Sequence, residues 1–173
     1  MKKIAMLIAF HGFRDEEYFE PKAILEAAGY KITTASTQKG IAVGKLGAKA
    51  NTDCLISDIK AEDYDAITLV GGPGALPELD NAEIHNLFIG AAKAGKLIGA
   101  ICISPMILAH AGLLKDKKAT VWTDAENSNI PDFEACGAKY TEKNTETDGK
   151  IITANGPAAA KAYAEALIKA LEK

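Results

Sequence analysis

Cysteine is scarce in this chain: Cys54, Cys102 and Cys136 are all it has, at wide and unpatterned spacing. That excludes a disulfide framework and a CxxC metal site, and an odd count leaves at least one thiol unpaired within the chain, which suits a reducing cytoplasm. Long hydrophobic runs are missing too. The apolar part of "MKKIAMLIAF" is far too short to span a bilayer, and charged "HGFRDEE" follows at once with no small-residue cleavage site, so neither a membrane span nor a signal peptide is expected. Positive charge is not in excess: the net charge of -3 offers no attraction to a polyanion and argues against a nucleic-acid partner. There is no internal repeat, no low-complexity tract, and no dinucleotide fingerprint or GK[ST] lysine, so no metal and no organic cofactor is expected. What remains is ordinary for a globular protein, 48% apolar and 25% charged, and 173 residues suit one domain over 1–173.

Short β-rich apolar runs alternate with amphipathic segments, the pattern of βα units and a parallel sheet covered on both faces. Strands are expected over Ile4–Ala9, Lys31–Ala35, Ala66–Val70, Leu97–Ile101, Ala119–Val121 and Ile151–Thr153. Helices are expected over Asp15–Ala28, Ala82–Ala94, Ile103–Ala111 and Pro157–Leu171. In the last, Ala159, Tyr163, Ala166 and Ala170 recur at helical spacing while Lys161, Glu165 and Lys169 point the other way. "GIAVGKLGAKANTD" reads as a hairpin, and "TDAENSNIPDFEACGAKY" as an irregular segment with one short helix. The fold class is α/β, a doubly wound, mostly parallel sheet with helices on both faces, whose ligands sit outside the C-terminal ends of the strands.

Three loops converge on that edge: "FHGFRDEE", "GGPG" and "CISP". Cys102 stands where a strand turns into a helix, so the helix macrodipole favours its thiolate and a sharp turn projects its sulfur into the crevice. The alternative is plain burial, common for free cysteine. Glu17 in "RDEEYFEPKAILEAAG" shares a helical face with Pro21, Ile24 and Ala28, which turns one carboxyl toward the core, whereas Glu16, Glu20, Lys22 and Glu26 lie off that stripe. A buried carboxyl stays protonated or finds a partner, and protonated Glu17 beside Cys102 would lower the thiol's pKa; equally, Glu17 suits the first turn of a helix that starts a residue or two later. In "VGGPG" the paired glycines let a backbone N–H approach a ligand, and the amides of Gly72 and Ile103 could form an oxyanion hole.

With "DEEYFEP", "LVGGPGA", "AICISP", "ILAHAGLL" and "DGKIITANGPAAA" in this order, the chain resembles the ThiJ/PfpI superfamily over essentially its whole length. The resemblance implies a flavodoxin-like fold, a nucleophilic cysteine at a strained elbow, a glutamate hydrogen-bonded to it, and a homodimer or larger homo-oligomer. Those roles fall on Cys102 and Glu17, with Gly72 and Ile103 at the oxyanion positions.

Two departures matter. Protease-like members carry a histidine after the cysteine, and here the residue is Ile103; a second histidine of deglycase-like members is replaced by Trp122, which closes or lines the pocket. Ser104 stands where a glycine is common. His110 lies eight residues beyond Cys102, roughly 12 Å along a helix, and His85 reads as a surface residue. His11 remains as a base or substrate contact, with an exposed loop histidine as the alternative.

Lacking a strong base, such a thiol suits small reactive carbonyls better than peptides. The expectation is a cytoplasmic, glyoxalase- or deglycase-like enzyme in which the Cys102 thiolate attacks a small-molecule carbonyl and Glu17 shuttles a proton. A redox-sensing stress protein that oxidises Cys102 to sulfinic acid is the second reading, and a cysteine protease or amidase the third.

Overall fold

The computed structural model describes residues 1–173. In chain order the elements are β1 (Lys3–Leu7), β2 (His11–Phe13), α1 (Asp15–Ala27), β3 (Lys31–Ser36), β4 (Gly40–Gly44), β5 (Lys49–Thr52), β6 (Cys54–Leu55) and β7 (Ala66–Leu69). There follow α2 (Ala75–Leu79), α3 (Ala82–Lys93), β8 (Leu97–Ile101), α4 (Pro105–His110), β9 (Lys118–Ala119) and α5 (Ile130–Ala135). The chain closes with β10 (Lys139–Tyr140), β11 (Thr145–Asp148), β12 (Ile151–Ala154) and α6 (Ala160–Leu171).

Seven strands form one sheet in the order β11-β12-β8-β7-β1-β3-β6, parallel throughout except for β11, which pairs antiparallel with β12. Alternation of side chains along a strand explains why these runs are apolar without a break. Ile4, Met6 and Ile8 pack on the α1 and α6 side with Tyr18, Tyr163 and Leu167. Ala5 and Leu7 face the other way, toward Phe88 of α3 and Ile107 of α4. Each large side chain so buried stabilises by roughly 1.5–3 kcal/mol.

From β1 the chain winds outward to β3 and β6, then returns to β7 on the other side of β1. The C-terminal ends of β1 and β7 are therefore a switch point, where adjacent loops part and leave a crevice.

Three expectations need correction. The Ala119–Val121 strand is not in the central sheet: only Lys118 and Ala119 are extended, and they pair with β10 in a separate ribbon. The run was apolar, but β8 already has β7 and β12 as its two neighbours, which leaves no edge there. The helix after Cys102 starts at Pro105, not Ile103, because Cys102 through Ser104 form a turn. Pro157–Ala159 is a single 3-10 turn that precedes α6. The hairpin is present as β4 against β5, and β2 extends it into a three-stranded sheet beside the crevice.

Candidate active site

Cys102 sits one residue past β8 with φ of 64°, a left-handed conformation that costs a non-glycine residue of order 1–3 kcal/mol and persists only where its surroundings fix it. They do. Its N–H donates to the carbonyl of Ala154 at 2.8 Å, and its own carbonyl accepts the Trp122 N–H at 2.7 Å. Ser104, fully buried, donates its hydroxyl to the Val70 carbonyl at 2.8 Å, which ties the elbow to the end of β7. Ser104 thus anchors the turn.

The Cys102 sulfur faces the amides of Gly72 and Ile103, both of which favour a negative charge there. Neither amide donates to a backbone carbonyl, so both are free for an oxyanion. Gly72 reaches this place only with φ of 110° and no side chain: a Cβ on it would fall 2.4 Å from the Arg14 nitrogen and 2.5 Å from the Gly12 oxygen.

Glu17 comes to the same point from α1. It is fully buried, with Tyr18, Pro21 and Leu25 as the buried residues that follow it on the helix. The inward stripe therefore runs through Leu25; Ala28 is exposed and Ile24 only half-buried, because the helix is rotated relative to the expected face. A Cβ on Gly71 would lie 2.5 Å from the Cys102 Cβ and 2.6 Å from Glu17 Oε2, so the carboxyl and the cysteine meet across a position that only glycine can fill. Neither Glu17 oxygen has a well-formed hydrogen bond; the polar groups that face it are the Cys102 thiol and the Gly71 backbone.

Burial pushes Glu17 up to about 7. Burial also pushes the Cys102 thiol up, and the Glu17 carboxylate, when ionised, pushes it further. This differs from the lowered thiol pKa expected from the helix dipole. The reason is spatial: α4 has only six residues and begins three positions beyond the sulfur, while the sulfur itself is buried. The first of the pair's two protons is released near neutrality.

The two groups open into a cavity of about 660 Å³, walled by Pro73, Leu76, Pro77, Ile103, Trp122 and Pro157. Trp122 lines it with 44% of its surface exposed. Arg14 and Lys45 also reach it, and the sequence reading had singled out neither. Arg14 was detectable from its place in "FHGFRDEE", three residues before Glu17 and directly before α1; nothing local signals Lys45, which the β4–β5 turn delivers.

No imidazole lines the cavity. His11 lies outside it, 67% exposed, with Nδ1 3.1 Å from Glu78 Oε1. His85, read as a surface residue, is half-buried instead: its Nε2 meets Asp80 Oδ1 at 2.7 Å, and His110 Nδ1 meets Asp80 Oδ2 at 2.7 Å. No cluster of three or more His, Cys, Asp or Glu side chains is arranged to hold a metal.

A profile of the DJ-1/PfpI family matches residues 2–170. The chain belongs to the DJ-1/PfpI family. An uncharacterized protein of Methanocaldococcus jannaschii is 41% identical over 172 residues, 99% of this chain and 83% of that protein. Deglycase PfpI of Pyrococcus furiosus is 25% identical over 167 residues, 96% of this chain and 98% of the relative. Among solved structures, a ThiJ/PfpI domain protein from Brachyspira murdochii superposes with a TM-score of 0.93 at 33% identity, covering 98% of this chain and 96% of that one. The α/β fold and the family expected from the loops are those found.

Proposed function

We propose that this member of the family is a cofactor-independent enzyme for small 2-oxoaldehydes or their adducts, with Cys102 as nucleophile and Glu17 as its proton acceptor. The observation that carries this is the single carboxyl facing the thiol: Glu17, poised at about 7, is the only titratable side chain beside the sulfur fit to take its proton near neutrality. The thiol proton passes to the Glu17 carboxylate as the sulfur bonds to the aldehyde carbon. The carbonyl electron pair moves to oxygen, where the Gly72 and Ile103 amides receive it. Glu17 then returns that proton to the alkoxide oxygen, giving the hemithioacetal, and the regenerated carboxylate removes the proton from the former aldehyde carbon and delivers it to the former ketone carbon, which leaves a thioester. The resulting thioester is hydrolysed by water, releasing a 2-hydroxy acid and the thiol. The aldehyde carbon is oxidised and the ketone carbon reduced, so no external oxidant is needed.

The name of the deglycase relative supports carbonyl chemistry, and the absence of an imidazole beside the sulfur disfavours peptide hydrolysis. Free thiols at Cys54, Cys102 and Cys136 fit a cytoplasmic site of action, and no helix is long and apolar enough to cross a membrane. Exposed Ile41, Val43 and Leu46 on the β4–β5 hairpin, with Phe19 on α1, offer an apolar face for a homodimer.

The test is turnover of methylglyoxal, followed by hydroxy-acid formation, in wild type and in Cys102→Ser. Loss of activity with the fold intact is the expected result; retained activity would overturn the proposal.

A further inference from the structure

Two cations reach the cavity and neither takes part in the chemistry above. Arg14 and Lys45 come from different elements, yet both are fixed to the same short stretch of backbone. The Arg14 N–H donates to the Gly71 carbonyl at 2.9 Å, next to the oxyanion position at Gly72. The Lys45 N–H donates to the Phe13 carbonyl at 2.8 Å. The turn that carries Lys45 is also held by Asp15, whose carboxylate accepts the amides of Leu46 at 2.8 Å and Ala48 at 2.9 Å. Gly44 permits this approach, since a Cβ on it would strike that carboxylate at 2.4 Å. Both positively charged side chains are therefore presented to the cavity by backbone that is hydrogen-bonded to the rest of the site.

Their donors are available. Glu16 engages only Nε and one terminal nitrogen of Arg14, at 2.8 and 3.2 Å, which leaves part of the five-donor guanidinium fork free. Lys45 is exposed and has no carboxylate within ion-pair distance, although acidic residues outnumber basic ones in the chain. The rest of the wall, from Pro73 and Leu76 to Trp122, is apolar. A cavity with one reactive thiol, an apolar wall and two cations at one side fits a ligand with an electrophilic carbon at one end and a negative charge at the other.

We infer that the cavity selects anionic carbonyl compounds, small molecules carrying a carboxylate or phosphate beside or beyond the reacting carbonyl, and that Arg14 and Lys45 are the specificity-determining residues. This deepens the proposed function and rests on it for the word substrate, but the charge preference of the site can be read without turnover.

The experiment compares iodoacetate with iodoacetamide, two alkylating agents of nearly equal size that differ by one negative charge, at Cys102 located by mass spectrometry. The ratio of their rates, normalised to glutathione, should exceed that of the free thiol several-fold. It should fall about fivefold in Lys45→Ala, the scale of one exposed ion pair, and by a similar factor in Arg14→Gln. It should invert in Lys45→Glu, shrink at high ionic strength, and stay unchanged in Lys60→Ala, a control at the opposite edge of the sheet. Protection by acetate rather than inorganic phosphate identifies the carboxylate class, and the reverse the phosphate class. Turnover is then measured with dioxovalerate, a 2-oxoaldehyde ending in a carboxylate, against neutral methylglyoxal. A higher kcat/KM for the anion that Lys45→Glu removes sustains the inference. A glutathione-like alkylation ratio that no variant changes overturns it, even with methylglyoxal still turned over. Charge-selective alkylation with neither aldehyde consumed instead sustains the anion site and overturns the carbonyl reaction.

Discussion

Two clusters of titratable side chains lie on this molecule, and they are built in opposite ways. At Asp80 both carboxylate oxygens are engaged, one by His85 and one by His110, and the three side chains are partly open to water. At Glu17 neither oxygen is engaged by a well-formed bond, the side chain is fully buried, and the neighbouring Cys102 backbone is strained. The first cluster holds two of the chain's three histidines, and both serve to join α3 to the end of α4 through Asp80. The second holds no histidine and keeps its polar valence free. A group whose hydrogen bonds are complete has nothing left to offer a substrate, whereas an unsatisfied buried carboxyl is costly to the fold and available to chemistry.

The sharpest way to break this comparison is to fill the space that keeps the second cluster open. Gly72→Ala forces a Cβ against the Arg14 and Gly12 backbones at a positive φ. It should destabilise by about 3 kcal/mol or more, read by urea unfolding, with alkylation of Cys102 altered in whatever protein remains folded.

Next in size is removal of the buried charge. The folded protein holds the Glu17 proton up to about 7, whereas the unfolded chain releases it near its ordinary 4.5. The stability linked to that proton is thus complete below the unfolded value and lost as pH rises through the folded one. The loss amounts to about 3 kcal/mol at pH 8. Glu17→Gln should therefore raise stability relative to wild type by up to that amount at pH 8 and change it little at pH 4. A wild type and variant with parallel pH profiles would contradict it.

The same substitution sharpens the comparison on the chemical side. Iodoacetamide alkylation of Cys102 in wild type should rise through pH about 7, where the pair loses one proton. In Glu17→Gln it should rise only above the free-thiol value of about 8.5, because burial still opposes the thiolate and no carboxylate accepts the proton.

The smallest effect belongs to the satisfied cluster. Asp80→Asn should cost roughly 1 kcal/mol by weakening two charge-assisted hydrogen bonds and leave the Cys102 alkylation profile where it was. A shift in that profile would mean that the two clusters are coupled through α4.

Much of the site was legible because it follows from short-range patterns. Uninterrupted apolar runs marked β1, β7 and β8 as buried on both faces, so the loops after them had to share one edge. Glu17 was readable as an inward carboxyl from helical spacing, although the face was misjudged by about one residue: Tyr18 and Leu25 pack inward and Ala28 does not. Gly72 was noticed as a donor, but Gly71, whose missing side chain lets Glu17 meet Cys102, was not. Its importance comes from atoms of α1 and of the end of β8 with the elbow that follows it. Lys45 was invisible for the same reason, since its place depends on Asp15 and Phe13 holding the turn. The isolated Ala119 strand failed because pairing is decided by which sheet edges are vacant.

By itself, then, the order of residues determined an α/β chain with a cysteine at a strand-to-helix elbow, a carboxyl turned inward, and glycines at a strand end. These are matters of periodicity and local backbone freedom, which reach only a few residues along the chain. Tertiary structure decided that the carboxyl and thiol compete for one proton, that the histidines face elsewhere, and that Arg14 and Lys45 flank the cavity. Those outcomes depend on burial and on distances between side chains far apart in sequence, which exist only once the elements have packed.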